Sequence, residues 1–198
     1  MKILLTGFEP FLGLETNPTA EIVTALDGMK IGNKSIHGSV LPVDFSGTKE
    51  ALLAEIKTLN PDVVLSLGLT FGRSCITPER IAINCMDGEK DNAGVSYQDQ
   101  LIEKEGPDGY FSTLPIRKMV DALVAAELPA KISNTAGTYL CNQTMYVARH
   151  YAEKNNPALR AGFIHIPADH KLALQKPMTS SWSLQDLQRG IEIIIEQL

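Results

Sequence analysis

The chain has 198 residues, enough for one substantial hydrophobic core and near the upper end for a single compact α/β domain, here residues 1–198. Its 44% hydrophobic and 21% charged residues exclude a disordered chain, and a net charge of −5 with no block of like charges argues against nucleic acid or an anionic membrane as partner. No apolar run approaches the roughly 18 residues that cross a bilayer, and three cysteines, Cys75, Cys85 and Cys141, with no C-x-x-C pair, form neither a disulfide framework nor a zinc or thioredoxin-like motif, so a reduced, cytoplasmic protein is expected.

MKILLTGFEPF opens the chain as a first strand, Lys2 to Thr6, rather than a signal peptide. The loop from Phe8 to Asn17 carries two phenylalanines, Phe8 and Phe11. Asn17-Pro18 starts a helix, Asn as cap and Pro at the first helical position, and Gly28 follows its end. Ser35 to Pro42 reads as a second strand. Ser46 to Leu59 is an amphipathic helix with Leu52, Leu53, Ile56 and Leu59 on one face, broken by Asn60-Pro61. Asp62 to Leu67 is an apolar strand of the kind buried on both faces of a parallel sheet. A glycine-punctuated loop, GLTFGR, leads to ITPER and a strand from Arg80 to Asn84. Asp87 to Gly109 is polar, acidic and without period, a long excursion of the functional or disordered sort. A helix from Pro115 to Glu127, a strand from Lys131 to Asn134, a helix from Cys141 to about Lys154 and a buried strand from Ala161 to Pro167 follow. Residues 168 to 182 read as irregular, and Ser183 caps a last helix.

Strands and helices in alternation predict a three-layer, doubly wound α/β domain with a mostly parallel, twisted sheet. Sites in such sheets gather at the carboxyl ends of strands. Phe8, the loop after Leu67, Cys141 and His165 all follow strands, so they are expected at one rim.

The stretch SNTAGTYLCN, Ser133 to Asn142, reads as a strand end, a small-residue turn and a helix start, with Thr138, Tyr139 and Leu140 extended. Cys141 is then close to a helix N-terminus, where free N–H groups and the helix dipole favour a thiolate and lower its pKa to roughly 3.5–7.5. That suits a nucleophile; a small buried cysteine is the commoner alternative. A thiolate needs a proton shuttle. Of four histidines, His165 ends an apolar strand at the rim, His170 is second choice, His37 belongs to an early strand, and His150 lies about 13 Å along the helix from Cys141 at 1.5 Å per residue. A satisfied core histidine is the bland account of His165. Glu79 is the best carboxylate to orient it, ahead of Asp91; an ion pair with Arg73 or Arg80 is the bland account there. Phe8 and Phe11 are either core or the walls of a pocket for a small flat group.

Several segments together resemble the pyroglutamyl peptidase I, or pyrrolidone-carboxylate peptidase, family of cysteine peptidases. They are LLTGFEPF at Leu4 to Phe11, Asn17-Pro18, GR..ITPERIAIN from Gly72 to Asn84, DN.G at Asp91 to Gly94, GPDGYFSTLPI from Gly106 to Ile116, SNTAGTYLCN, and FIHIP at Phe163 to Pro167. The resemblance spans nearly the whole chain. It implies removal of an N-terminal pyroglutamate from peptides without metal or cofactor. It also implies Cys141 as nucleophile, His165 as general base and then acid, and Glu79 as the group that positions His165. Phe8 and Phe11 would hold the lactam ring, Asn17 would support their loop, and Leu69, Tyr139 and Leu140 would complete the substrate site. A homo-oligomer, tetrameric by the family's habit, is implied too.

Leu69 stands where many family members carry Gln, which implies one polar contact fewer at the ring. The segment Gly88 to Asn92 is shorter than the usual A-R-x-P-D-N and lacks its Arg and Pro, and the tail after Pro167 departs from the usual F-L-P. Two other readings follow: a cysteine amidohydrolase of this fold with a shifted substrate, and a non-enzymatic α/β small-molecule-binding module in which Cys141 only packs.

Overall fold

A computed structural model describes residues 1–198. Four strands form the parallel centre of its sheet: β1 (Lys2–Phe8), β3 (Lys34–Leu41), β4 (Val63–Leu69) and β8 (Arg160–Ile166). Two-residue strands close the edges, β2 (Lys30–Ile31) antiparallel to β3 and β5 (Thr77–Pro78) antiparallel to β8, giving the order β2-β3-β1-β4-β8-β5. This is the mostly parallel α/β fold that the alternating pattern predicts.

Side chains alternate across the sheet with the strand period of two. Ile3, Leu5, Val63, Leu65, Leu67, Ile164 and Ile166 face one helical layer, α1 (Pro18–Leu26), α3 (Ile116–Ala125) and α6 (Leu184–Glu196). Leu4, Phe8, Val64, Ala161 and Phe163 face the other, α2 (Phe45–Leu59) and α4 (Leu140–Asn155). The strands are buried on both faces, which is why they read as continuous apolar runs. By the same parity Gly68 and His165 point to the α4 side, and they are direct partners across the β4–β8 pair.

The strand order reverses beside β1: the chain goes from β1 out to β3, then returns to place β4 on the other side. The crevice beyond the carboxyl ends of β1 and β4, at Phe8 and Leu69, is thus the switch point where ligands bind in open α/β sheets.

Four local readings are corrected. Phe8 is the last residue of β1 rather than loop, because β3 runs alongside as far as Leu41 and even Glu9 donates to the Leu41 carbonyl. Leu140 opens α4 rather than extending the strand; Tyr139 is the extended cap. Lys131 to Asn134 is not a strand: it makes one isolated bridge, Ser133 to Glu79, and Ala130 just before it makes another to Ile76, because the intervening Thr77–Pro78 turns to β8 and Pro78 has no N–H to give a ladder. Residues 168 to 182 are not irregular: β9 (Ala168–Asp169) pairs with β10 (Ser181–Trp182), and Asp169 caps the short α5 (His170–Gln175) by accepting from the Leu172 N–H. The excursion ends where β7 (Gly109–Phe111) begins, antiparallel to β6 (Ile81–Ile83).

Candidate active site

Cys141 is the second residue of α4 and partly buried. Gly137, at φ 79°, supplies the left-handed turn that swings the chain into the helix. The first intrahelical bond runs from the Gln143 N–H to the Tyr139 carbonyl. The N–H groups of Leu140, Cys141 and Asn142 therefore precede the ladder, the usual state of a helix's first turn. Asn142, fully buried, ties this end to β6: its amide donates to the carbonyls of Ile83 (2.8 Å) and Cys85 (3.0 Å) and accepts from the Ile83 N–H (2.8 Å).

His165 and Glu79 meet as a hydrogen-bonded pair, Nδ1 to Oε1 at 2.7 Å, with Glu79 fully buried and His165 3% exposed. The pair leaves Nε2 as the ring's other nitrogen. The backbone fixes both partners. The Glu79 N–H donates to the Phe163 carbonyl, and Thr77 Oγ1 to the His165 carbonyl. The Phe163 and His165 rings lie 4.9 Å apart. Arg73 donates from Nη1 to the same Glu79 Oε1 at 2.7 Å, so the ion pair with Arg73 exists beside the histidine contact rather than instead of it. Arg80 turns away to Asn134 (2.7 Å).

Gly68 brings the sulfur into this group. A methyl built on Gly68 would lie 2.9 Å from Cys141 Sγ and 2.6 Å from Phe163 Cε1. The sulfur thus rests on the backbone of the residue paired with His165. The weaker candidates lie elsewhere. His170 is exposed and bonds Ser181, His150 bonds the Tyr110 hydroxyl, and His37 is exposed. Asp91 is buried but accepts the N–H groups of Phe45, Ala93 and Val95.

The electrostatics correct one expectation. Burial pushes the Cys141 thiol up to about 12, the Glu79 charge adds to that, and Arg73 and the residue's own N–H only partly oppose it. Burial likewise lowers the His165 pKa, against the pull of Glu79. Resting thiol and imidazole are both neutral; desolvation outweighs the helix N-terminus in a site this dry. Burial would raise the Glu79 carboxyl too, yet the hydrogen bonds from His165, Ser133 and Arg73 hold it below its ordinary value, so it stays ionised.

Beside the sulfur is a cavity of about 70 Å³ lined by Phe8, Phe11, Asn17, Val43, Leu69, Tyr139, Leu140 and Cys141. A water needs roughly 10–15 Å³ of such space, so the cavity admits a small organic group. Every predicted substrate-side residue lines it. Asn17 builds its floor: Oδ1 accepts from the Thr19 N–H and hydroxyl, and Nδ2 donates to the Glu9 carbonyl (3.1 Å). Leu69 packs with Ala168 and Leu172, with Phe11 against them. The Tyr139 phenol, pushed up to about 12 by burial and then by Asp91, Cys141 and Glu89, stays neutral. Two residues went unread in the sequence. Val43 follows the second strand directly, at the rim, and that position was its only signal; Gly68 had none, because its role is the absence of a side chain.

A family model described as pyroglutamyl peptidase matches residues 1–198. The chain belongs to the pyroglutamyl peptidase family. It is 53% identical over 194 residues to the pyrrolidone-carboxylate peptidase of Oceanobacillus iheyensis, covering 98% of this chain and 97% of that one. It is 44% identical over 199 residues to that of Thermococcus kodakarensis, covering 100% and 96%. Among solved structures it is similar to a mutant pyrrolidone carboxyl peptidase from Pyrococcus furiosus (TM-score 0.96, 40% identity, 99% and 97% of the two chains). It is also similar to pyroglutamyl peptidase I of Bacillus amyloliquefaciens (TM-score 0.95, 36% identity, 99% and 95%). The small, mostly apolar cavity of this chain has Cys141 in its wall.

Proposed function

We propose that this chain is a cysteine peptidase that removes an N-terminal pyroglutamyl residue from peptides and proteins, with Cys141 as nucleophile, His165 as general base and acid, and Glu79 as its positioning carboxylate. The observation that carries the reading is the convergence of the Glu79–His165 pair, the Cys141 sulfur and a small apolar slot at one switch point. The lactam is uncharged and fits an apolar slot; a free amino terminus carries a charge that is costly to desolvate there.

As the carbonyl carbon reaches Sγ, the thiol proton passes to His165 Nε2 and the C–S bond forms. The imidazolium is stabilised by Glu79. The oxyanion is met by N–H groups of the first turn of α4, that of Cys141 included. His165 then gives its proton to the departing amine as the C–N bond breaks, leaving a thioester. Water attacks with its proton going to His165, the C–S bond breaks, and the proton returns to sulfur. The products are pyroglutamate and the shortened peptide. Neutral resting partners suit this sequence: charge is created only when the substrate has closed the slot.

The test is hydrolysis of a pyroglutamyl anilide by wild type, Cys141→Ser and His165→Ala. Loss of more than about 10³-fold in each variant is expected, and equal activity in all three refutes the assignment. A panel of prolyl, glutaminyl and pyroglutamyl anilides checks the second reading, a shifted substrate, which Leu69 in the slot wall favours. Residues 1–198 are read as one catalytic domain, since the sheet draws strands from Lys2 to Ile166 and α6 packs back on α1. No helix is long and apolar enough to cross a membrane. A cytoplasmic homotetramer is the assembly we infer from the family resemblance; three free cysteines fit a reducing compartment, and light scattering on the purified protein tests the assembly.

A further inference from the structure

We propose that Arg73 is a positioning residue of this site: its guanidinium holds Glu79 as the carboxylate that accepts from His165 Nδ1–H, and so keeps Nε2 the bare nitrogen available to Cys141. The inference rests on the assignment proposed above and goes beyond it, since Arg73 does not line the ring slot. Arg73 lies in the loop between β4 and β5. Its Nη1 donates to Glu79 Oε1 at 2.7 Å and to the Thr77 hydroxyl, and its Nη2 reaches the Thr135 carbonyl at 3.4 Å. Thr77 in turn donates to the His165 carbonyl, and Thr135 belongs to the turn that leads into α4. One side chain therefore touches the acid, the residue of β5 that bonds the base's own carbonyl, and the turn that delivers the nucleophile.

The charge is as important as the contacts. Glu79 is fully buried, and a buried carboxylate facing a neutral imidazole is costly unless a cation compensates. The charged and titratable groups around the pair are Arg73, Glu79 after β5, His165 on β8 and Cys141 on α4. Arg73 is the permanent cation among them, with its side chain 23% exposed against none for Glu79. Without it, the buried pair takes up a further proton more readily. A protonated Glu79 donates to Nδ1, so the imidazole carries its proton on Nε2, the wrong tautomer for a base. An ionised Glu79 with a charged His165 is equally unable to accept from the thiol. Both routes reach the same inactive proton count, so the macroscopic pKa of the pair rises whichever group holds the proton.

The experiment is the pH dependence of kcat and KM for a pyroglutamyl anilide in wild type, Arg73→Lys and Arg73→Met, over about pH 5 to 9. It is read together with ¹⁵N spectra of the His165 ring and circular dichroism. In Arg73→Met the acidic limb of kcat/KM moves up by about one pH unit or more, the scale of a carboxylate–arginine contact, so activity below the limb falls at least tenfold while KM changes little. Arg73→Lys keeps a cation and falls between. The ring spectra show a bare Nε2 in wild type at neutral pH and its loss at higher pH in Arg73→Met. An unmoved limb, with activity lowered equally at every pH, overturns the proposal. If Arg73→Met does not fold, Arg73→Gln, which removes the charge but keeps a polar side chain, takes its place: a raised limb supports the role and an unmoved one rejects it. Cys141→Ala run alongside separates the two claims. Full activity in it sinks the nucleophile assignment, whereas an inactive Cys141→Ala with an unmoved limb in Arg73→Met sinks only the role of Arg73.

Discussion

Gly68→Ala is the sharpest probe of how the nucleophile is seated. Its added methyl meets Phe163 at 2.6 and 2.7 Å and Cys141 Sγ at 2.9 Å. Carbon atoms sit comfortably at about 3.5 Å or more, so the Phe163 ring must withdraw by about 0.9 Å, and the sulfur must yield as well. Phe163 is 1% exposed and packed against Phe8, with ring centroids 6.4 Å apart, so the push reaches the slot wall. Overpacking of this kind costs about 1–3 kcal/mol of stability. A displacement near 1 Å at the reacting centre costs on the order of 100-fold in rate. Gly68 has ordinary strand backbone, so neither effect comes from strain in φ. The assays are a urea melt and steady-state hydrolysis of a pyroglutamyl anilide. The account expects a folded protein with kcat/KM reduced about 100-fold and the loss mainly in kcat. Wild-type kcat in a variant destabilised as expected would refute the seating of Sγ against Gly68, and with it the placement of the sulfur beside His165.

Other substitutions and conditions test neighbouring parts. Phe11→Ala, at a half-buried wall of the slot, should raise KM about tenfold with little loss of stability, as read by the same kinetics and melts; unchanged KM would remove Phe11 from the substrate site. Asn17→Ala deletes the cap of α1 and the tether to the Glu9 carbonyl; a stability loss of about 0.5–2 kcal/mol and a higher KM are expected, and a lower midpoint with unaltered KM would show that the tether does not shape the slot. Stability should fall on both sides of neutrality. His165 is held neutral below its ordinary 6.5, so the unfolded chain binds more protons and the urea midpoint drops as pH falls below about 6.5. Glu79, held below its ordinary 4.5, adds a further loss as pH falls through that range. Cys141, raised from 9.0 to about 12, stays protonated when folded, so ionisation of the unfolded thiol lowers stability above about pH 9. A midpoint flat from pH 7 to 5, or a slope that survives His165→Gln, would contradict the buried neutral histidine.

Much of this was legible because it is local or periodic. Apolar runs such as Val63 to Leu67 declare a strand covered on both faces, and Asn17-Pro18 declares a helix start through its own side-chain chemistry. The strand-end rule put Cys141 and His165 on one rim, Glu79 was the carboxylate chosen to orient the histidine, and the ordered motifs named the same three. What was missed depends on partners distant in sequence. Residues 77 to 80 lie between β8 and the Ala130–Ser133 segment, and no pattern within ITPER announces either neighbour. Helix position alone suggested an acidic thiol, but the burial of the sulfur against the sheet at Gly68 is a tertiary property, and it reverses the sign. Gly68 was invisible for the same reason. Its lack of a side chain gains meaning only once Cys141 and Phe163 crowd the space.

The most direct test is to catch the acyl-enzyme. Wild-type protein is mixed with a pyroglutamyl ester, quenched in acid within the first turnovers, and mapped by peptide mass spectrometry. The account predicts one pyroglutamyl group, on Cys141 and not on Cys75 or Cys85. Turnover with Cys141 unmodified, or with the acyl group on another residue, would contradict it.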